Sequence, residues 1–178
     1  MSDDKSYIES SITATGGELK SDSLKNRIEY VLMHAQGNSV TAIKSLIDAL
    51  KDESWNVRCT AAEELGKKGE AVVPYLLESI KSGIWYVKAA SCKALGLVGI
   101  PHSVYHIYPY LKDKNQTLRE EADRAICNII ETDPQRFVDD YLAVGEPSYI
   151  EHFMNWLNKN HQDLYEEVST YLQEKHGI

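Results

Sequence analysis

AIKSLIDALKDESWNVRCTAAEELGKKG, residues 42–69, lies over VVPYLLESIKSGIWYVKAASCKALGLVG, residues 72–99, at an offset of 30 positions. Trp55 falls on Trp85, Val57 on Val87, Arg58 on Lys88, Leu65 on Leu95, Gly66 on Gly96 and Gly69 on Gly99. A fixed internal period of this length is the signature of stacked supersecondary units, none of which buries its apolar side alone. Stacked units build a broad surface rather than a deep pocket, so the period bears on function as well as fold.

Within each copy the apolar spacing is helical. Ala42, Ile43, Leu46, Ile47 and Leu50 form one stripe, and Val72, Val73, Leu76, Leu77 and Ile80 repeat it. The turns Lys51–Ser54 and Ser82-Gly83 break these helices. A second helix then runs from Trp55 to about Lys67, with Ser54 or Asp52 as its cap and Glu63 and Glu64 on the solvent side. In the next copy Val87, Ala90, Ser91, Ala94 and Leu95 line the return helix. Small residues at Ala61, Ala62, Ala90 and Ala94 allow close helix pairing. Gly69 and Gly99 suit the left-handed position that ends a helix.

The pattern decays outward. A third unit sits 31 residues further on: Val104, Ile107, Tyr108 and Leu111 match the first stripe, while Leu118, Arg119, Ala122, Ala125 and Ile126 match the second. Upstream, Ser23 is placed to cap a helix carrying Leu24, Ile28, Val31, Leu32 and Ala35 and stopped at Gly37-Asn38. This reads as the closing half of a degenerate first unit, since terminal repeats are atypical. Residues 1–22 are expected to be partly disordered or a short helix near 4–12. Beyond Thr132 the spacing predicts helices from Pro134 to about Ala143, near 148–158 and near 162–175. The organisation is then an N-terminal segment (1–22), a repeat stack (23–132) and capping helices of the same domain (133–178).

The helix stripe followed by K-D-x-x-W-x-V-R and A-A-x-x-L-G-x-x-G, best seen in residues 42–69, resembles the short HEAT-like repeats of the phycobilisome-lyase type. Residues 72–99 keep the apolar, Trp, Val and Gly positions, with Ser82 in place of the turn Asp. Residues 100–113, IPHSVYHIYPYLKD, are similar to the opening of such a repeat, although Gln116 stands where the Trp belongs. The resemblance implies an all-α, right-handed α-solenoid, a HEAT/armadillo-like superhelix, closed here by a divergent C-terminal helical cap. Its functional implication is broad, because one fold hosts many activities.

Net charge is −8, and it sits at the ends: −3 over residues 1–22 and −6 over residues 133–178, against +1 between them. With a pI near 5.2, this argues against a phosphate-tracking nucleic-acid surface. Three cysteines, an odd number, argue against a disulfide framework and for a reducing compartment. The N-terminal residues lack the pattern of a signal peptide, and no apolar run reaches the ~20 residues needed to cross a bilayer. The expected location is cytoplasmic, away from membranes.

Trp55 and Trp85 open consecutive second helices. With Tyr86 they form an aromatic ridge for a partner, or else each indole packs on its preceding turn; recurrence with the repeat favours packing. Arg58, Lys88 and Arg119 form a basic ladder, one per unit, read as structural partners of the turn acids Asp52 and Asp113 and of helix carbonyls of the neighbouring repeat. Tyr105, His106, Tyr108 and Tyr110 make the third unit unusually aromatic and, with Tyr86, offer the best binding face. His102 and His106 lie four apart, as two metal ligands on one helix face would, yet no third ligand is near in sequence. No metal, cofactor, small-molecule substrate or catalytic residue is expected.

HEAT-repeat deoxyhypusine hydroxylases hold iron with His-Glu dipeptides. None of His34, His102, His106, His152, His161 and His176 is followed by Glu, which excludes that chemistry. HEAT-like DNA glycosylases need a basic channel, which is not evident here. The expected function is therefore a non-enzymatic protein–protein interaction scaffold or adaptor. The alternative is an accessory or chaperone-like lyase subunit acting on a cofactor-bearing protein, as the family resemblance allows.

Overall fold

The computed structural model describes residues 24–142 and 145–176. The proposed Ser23 cap and everything expected of residues 1–22 lie outside them. Ten α-helices are found among the described residues, joined by short 3-10 and π segments, and no strand is present among them. They are α1 (Leu24–His34), α2 (Val40–Ala49), α3 (Trp55–Gly66), α4 (Val73–Ser79), α5 (Trp85–Val98), α6 (Val104–Ile107), α7 (Gln116–Thr132), α8 (Pro134–Phe137), α9 (Pro147–Asn160) and α10 (Gln162–His176).

Two rows of helices make an all-α solenoid. The second helices α1, α3, α5 and α7 stack in order, and α2 and α4 form the parallel row, each packed on its return helix. The core follows the sequence stripes: Leu46, Leu50, Leu65, Leu76, Leu95, Leu118 and Ile126 are all inaccessible to solvent. Burying one such side chain contributes about 1.5–3 kcal/mol. No single hairpin is closed, however. Each covers only one side of the next, and for that reason the units are stable as an array.

The second-helix row is tightest where small residues recur. A Cβ on Gly96 would lie 2.7 Å from the Ala125 backbone Cα, and one on Gly66 would lie 2.6 Å from Leu97 Cβ. The repeated glycine therefore marks a close helix crossing. Gly99, with φ of 73°, ends α5 in the expected left-handed conformation, whereas Gly69, with φ of 64°, opens the 3-10 turn before α4 and α3 ends at Lys67 in a right-handed conformation.

The turns share a device that the sequence reading placed differently. Ser54 makes no side-chain cap on α3. Instead, Asp52 Oδ1 accepts a hydrogen bond from the Ser54 backbone N–H at 2.7 Å. The equivalent residues do the same one and two units on: Ser82 Oγ accepts from Ile84 N–H at 3.2 Å and Asp113 Oδ1 from Asn115 N–H at 2.8 Å. Such side chains mimic a backbone turn, which fixes the hairpin angle in all three units.

Two expected helices are shorter than their stripes suggest. In the third unit, Val104–Ile107 is helical but Tyr108–Lys112 tightens to a 3-10 turn, because Pro109 supplies no N–H for an α-helical bond. The helix from Pro134 gives way at Val138 to a π turn. The capping helices α9 and α10 match the expected spans closely. Phe153 and Leu157 of α9 and Val168 of α10 are buried, and α10 packs against α7 and α8.

Candidate protein-binding edge

The turns deliver the N-termini of α3, α5 and α7 to one edge of the stack, and the aromatic residues named above divide there into two groups. Trp55, Tyr86 and Trp85 stay at the edge. The Arg58 guanidinium lies over the Trp55 ring at 5.4 Å and over the Tyr86 ring at 4.6 Å, so one cation joins aromatics of adjacent units. The Trp85 and Tyr86 rings meet edge-on at 5.7 Å.

Arg58 is held by the chain itself. Its Nη1 donates to the carbonyls of Asp52 at 2.6 Å and Glu53 at 2.8 Å, and the residue is 6% exposed. Arg119 repeats the arrangement with the carbonyls of Asp113 at 2.8 Å and Lys114 at 3.1 Å. Lys88 places its ammonium over Tyr110 at 5.1 Å. The bases thus serve the turns and neighbouring rings. Where the sequence suggested turn acids and neighbouring-repeat carbonyls, the guanidinium partners are carbonyls of their own turn, because the acid side chains are occupied by turn N–H groups. Arg27 from α1 takes the free oxygen of Asp52 at 3.3 Å.

Apolar surface accumulates on this rigid footing. Trp55 is 38%, Ile84 43% and Trp85 41% exposed, all within the first turn of a second helix or just before it. Arg58 orders Trp55 and Tyr86, Tyr86 supports Trp85, and Ile84 precedes them in the chain, so exposed apolar groups gather at one pre-organised edge.

The tyrosines of the third unit are placed otherwise. Tyr110 donates its hydroxyl proton to the Ile80 carbonyl at 2.8 Å, tying the third unit to the second. Tyr105 donates to the Tyr141 carbonyl at 2.9 Å, and its ring packs on those of Tyr141 and Tyr149 at 4.3 and 5.3 Å. Tyr108 donates to the His152 carbonyl at 3.2 Å and meets Phe153 and Trp156. Burial raises the hydroxyl pKa of all three. Of this group only His106 is fully at the surface, so the capping helices occupy most of the face.

A HEAT-repeat family model matches residues 18–83 and, overlapping it, residues 43–127. The chain belongs to the HEAT-repeat family. No curated protein matches it. Within this HEAT-repeat stack, the structure also brings together three residues that the sequence reading did not group. Asp123 and Cys127 of α7 meet His161 from the junction of α9 and α10, with their ligating atoms all within 4.8 Å of one another. The i, i+4 spacing of Asp123 and Cys127 was the only signal in the chain. The histidine is 34 residues beyond the cysteine and arrives through the cap. His102 and His106, by contrast, join no such cluster among the described residues.

Proposed function

We propose that the protein is a non-enzymatic scaffold that binds another protein along the turn edge, with Trp85, Ile84 and Trp55 as anchors. The carrying observation is the combination of exposure and rigidity. Trp55, Ile84 and Trp85 remain about two-fifths open to water, while Arg58 beneath Trp55 and Tyr86 is buried and bonded to two carbonyls. Aromatic side chains anchored on pre-ordered neighbours are the usual source of binding energy, because little side-chain entropy is lost on association. The second-helix face contributes the rim, and Tyr86 supports the anchors.

The 30-residue spacing and the recurrent Asp or Ser turn support the finer reading, that these are short repeats of the phycobilisome-lyase-like type. Three free thiols, Cys59, Cys92 and Cys127, support work in a reducing cytoplasm. No helix among the described residues is long and apolar enough to cross a membrane.

The test is affinity capture with the native chain beside Trp85→Ala and Ile84→Ser. A partner held by the native protein is expected to be lost from both variants, each retaining its helical circular dichroism. Undiminished capture by folded variants would remove the edge from the interface.

A further inference from the structure

In each repeat the positions four apart on the second helix that meet the next unit are small: Ala62 and Gly66 in one, Cys92 and Gly96 in the next. At the third unit the same positions hold Asp123 and Cys127. No further repeat stacks there. The cap arrives instead, and it brings His161. The consensus is therefore replaced, at one spot, by a carboxylate, a thiol and an imidazole.

The backbone of His161 is fixed where it stands. Its backbone N–H donates to the Leu157 carbonyl at 2.7 Å, its carbonyl accepts from Tyr165 N–H at 3.0 Å, and its ring lies 5.3 Å from that of Trp156. Nε2 is 2.8 Å from Asp123 Oδ1 and 3.5 Å from Cys127 Sγ. Carboxylate and thiol thus converge on one ring nitrogen. A nucleophilic triad places the thiol on one nitrogen and the orienting carboxylate on the other, with the base between them. Here Sγ is nearly equidistant from both nitrogens, 3.6 and 3.5 Å, which sets it against the ring rather than in line with a lone pair. That placement makes a poor triad, and for Nε2 to share an ion with Sγ and the Asp123 carboxylate the imidazole must turn about its own side-chain bonds.

We propose that Asp123, Cys127 and His161 bind a divalent transition-metal ion, with zinc as the best match. One thiolate, one imidazole and one carboxylate are the donor types zinc takes, whereas calcium and magnesium take oxygen alone. Bonds of about 2.3 Å to sulfur and 2.0–2.1 Å to nitrogen and oxygen place tetrahedral ligands about 3.3–3.6 Å apart. Sulfur and Nε2 already stand at that distance. The Asp123 oxygen and Nε2 open by about 0.5 Å once the proton between them is displaced. The residues border a cleft of about 680 Å³ lined also by Glu120, Glu131 and Asp163 against one base, Arg124, so acids outnumber bases there, and a water or one of these carboxylates supplies the fourth ligand. Zinc takes sulfur as the thiolate, so ion binding releases the Cys127 proton. This site shares no residue with the turn edge and does not depend on a partner there.

The probe is Zn²⁺ titrated into the full chain, followed by calorimetry in two buffers of different ionisation enthalpy, with Co²⁺ as the spectroscopic stand-in. The expected result is one saturable site, release of about one proton per ion and a sulfur-to-cobalt charge-transfer band. Cys127→Ser and His161→Ala are each expected to weaken zinc by more than the ~10–100-fold typical of losing an outer-shell partner, and to abolish or shift the cobalt band. Asp123→Asn, which keeps shape and a hydrogen bond to His161, tests the carboxylate even if one of the others fails to fold, and should weaken zinc at least about tenfold. Cys59→Ser should bind as the native chain does. Absence of saturable binding, or equal affinity in folded Cys127→Ser and Asp123→Asn, overturns the proposal.

Discussion

Replacing Gly96 with alanine tests the stacking of the second helices at its narrowest point. The added Cβ would stand 2.7 Å from Ala125 Cα, 2.9 Å from its Cβ and 3.2 Å from its carbonyl oxygen. Ordinary carbon contacts begin near ~3.5 Å, so α5 and α7 must part by roughly 0.6–1 Å. The obstacle is backbone and a Cβ, and neither has a rotamer to escape into. Overpacking of this kind costs typically 1–3 kcal/mol, and rigid neighbours put the position at the upper end. Alanine regains about 1 kcal/mol in helix propensity. The net expectation is a loss of about 2 kcal/mol. For a chain of this length that lowers the thermal midpoint by about 4–8 °C. Gly83→Ala is the internal control: its added Cβ meets nothing within 4 Å, and its stability should stay within about 0.5 kcal/mol of native. Thermal and urea unfolding of the three chains decide the matter. A Gly96→Ala protein as stable as native would mean that α5 and α7 do not approach as described.

Further outcomes follow from the same geometry. Arg58→Lys should destabilise by about 1–3 kcal/mol in urea unfolding, since an ammonium reproduces neither the paired carbonyl bonds nor the stacking between Trp55 and Tyr86. The matching change at the more open Arg119 should cost less. Tyr110→Phe loses the bond to the Ile80 carbonyl and should cost about 1 kcal/mol, with the helical dichroism unchanged. Alkaline pH should weaken the metal-free fold. The Cys127 thiol ionises near 9.0 when unfolded but near 12 when folded, so its contribution is complete below pH 9 and is lost as pH rises toward 12. Buried Cys92 and the cap tyrosines shift in the same direction, for burial disfavours their charged forms. A chemical-denaturation series should therefore fall above pH 9, and Cys127→Ala should flatten its slope.

The solenoid was legible because its information is periodic. Trp55 over Trp85 and Gly66 over Gly96 set the hairpin length, and the buried stripes followed at helical spacing. What escaped the pattern was local or distant. Pro109 broke the helix of the third unit, although Tyr108 and Leu111 kept the stripe intact on paper. Ser54 and Asp52 were both candidates to cap α3, and only geometry shows that Asp52 instead binds the turn N–H of Ser54 while Ser54 makes no side-chain cap. The tyrosine cluster stood out as a departure from the repeat, but composition could not tell a free aromatic face from one covered by α9. The Asp123–Cys127–His161 convergence depends on where the cap comes to rest, and no spacing rule joins residues brought together that way.

One measurement bears most directly on the binding edge. A partner captured by the native chain should be titrated against native protein, Trp85→Ala and an exposed change on the other row of helices, Lys44→Ala. Loss of an interface anchor of this kind costs about 2 kcal/mol or more, so Trp85→Ala should bind roughly 30-fold more weakly while Lys44→Ala binds as native. Equal affinities for native protein and a folded Trp85→Ala variant would contradict the claim that the turn edge is where this repeat stack meets its partner.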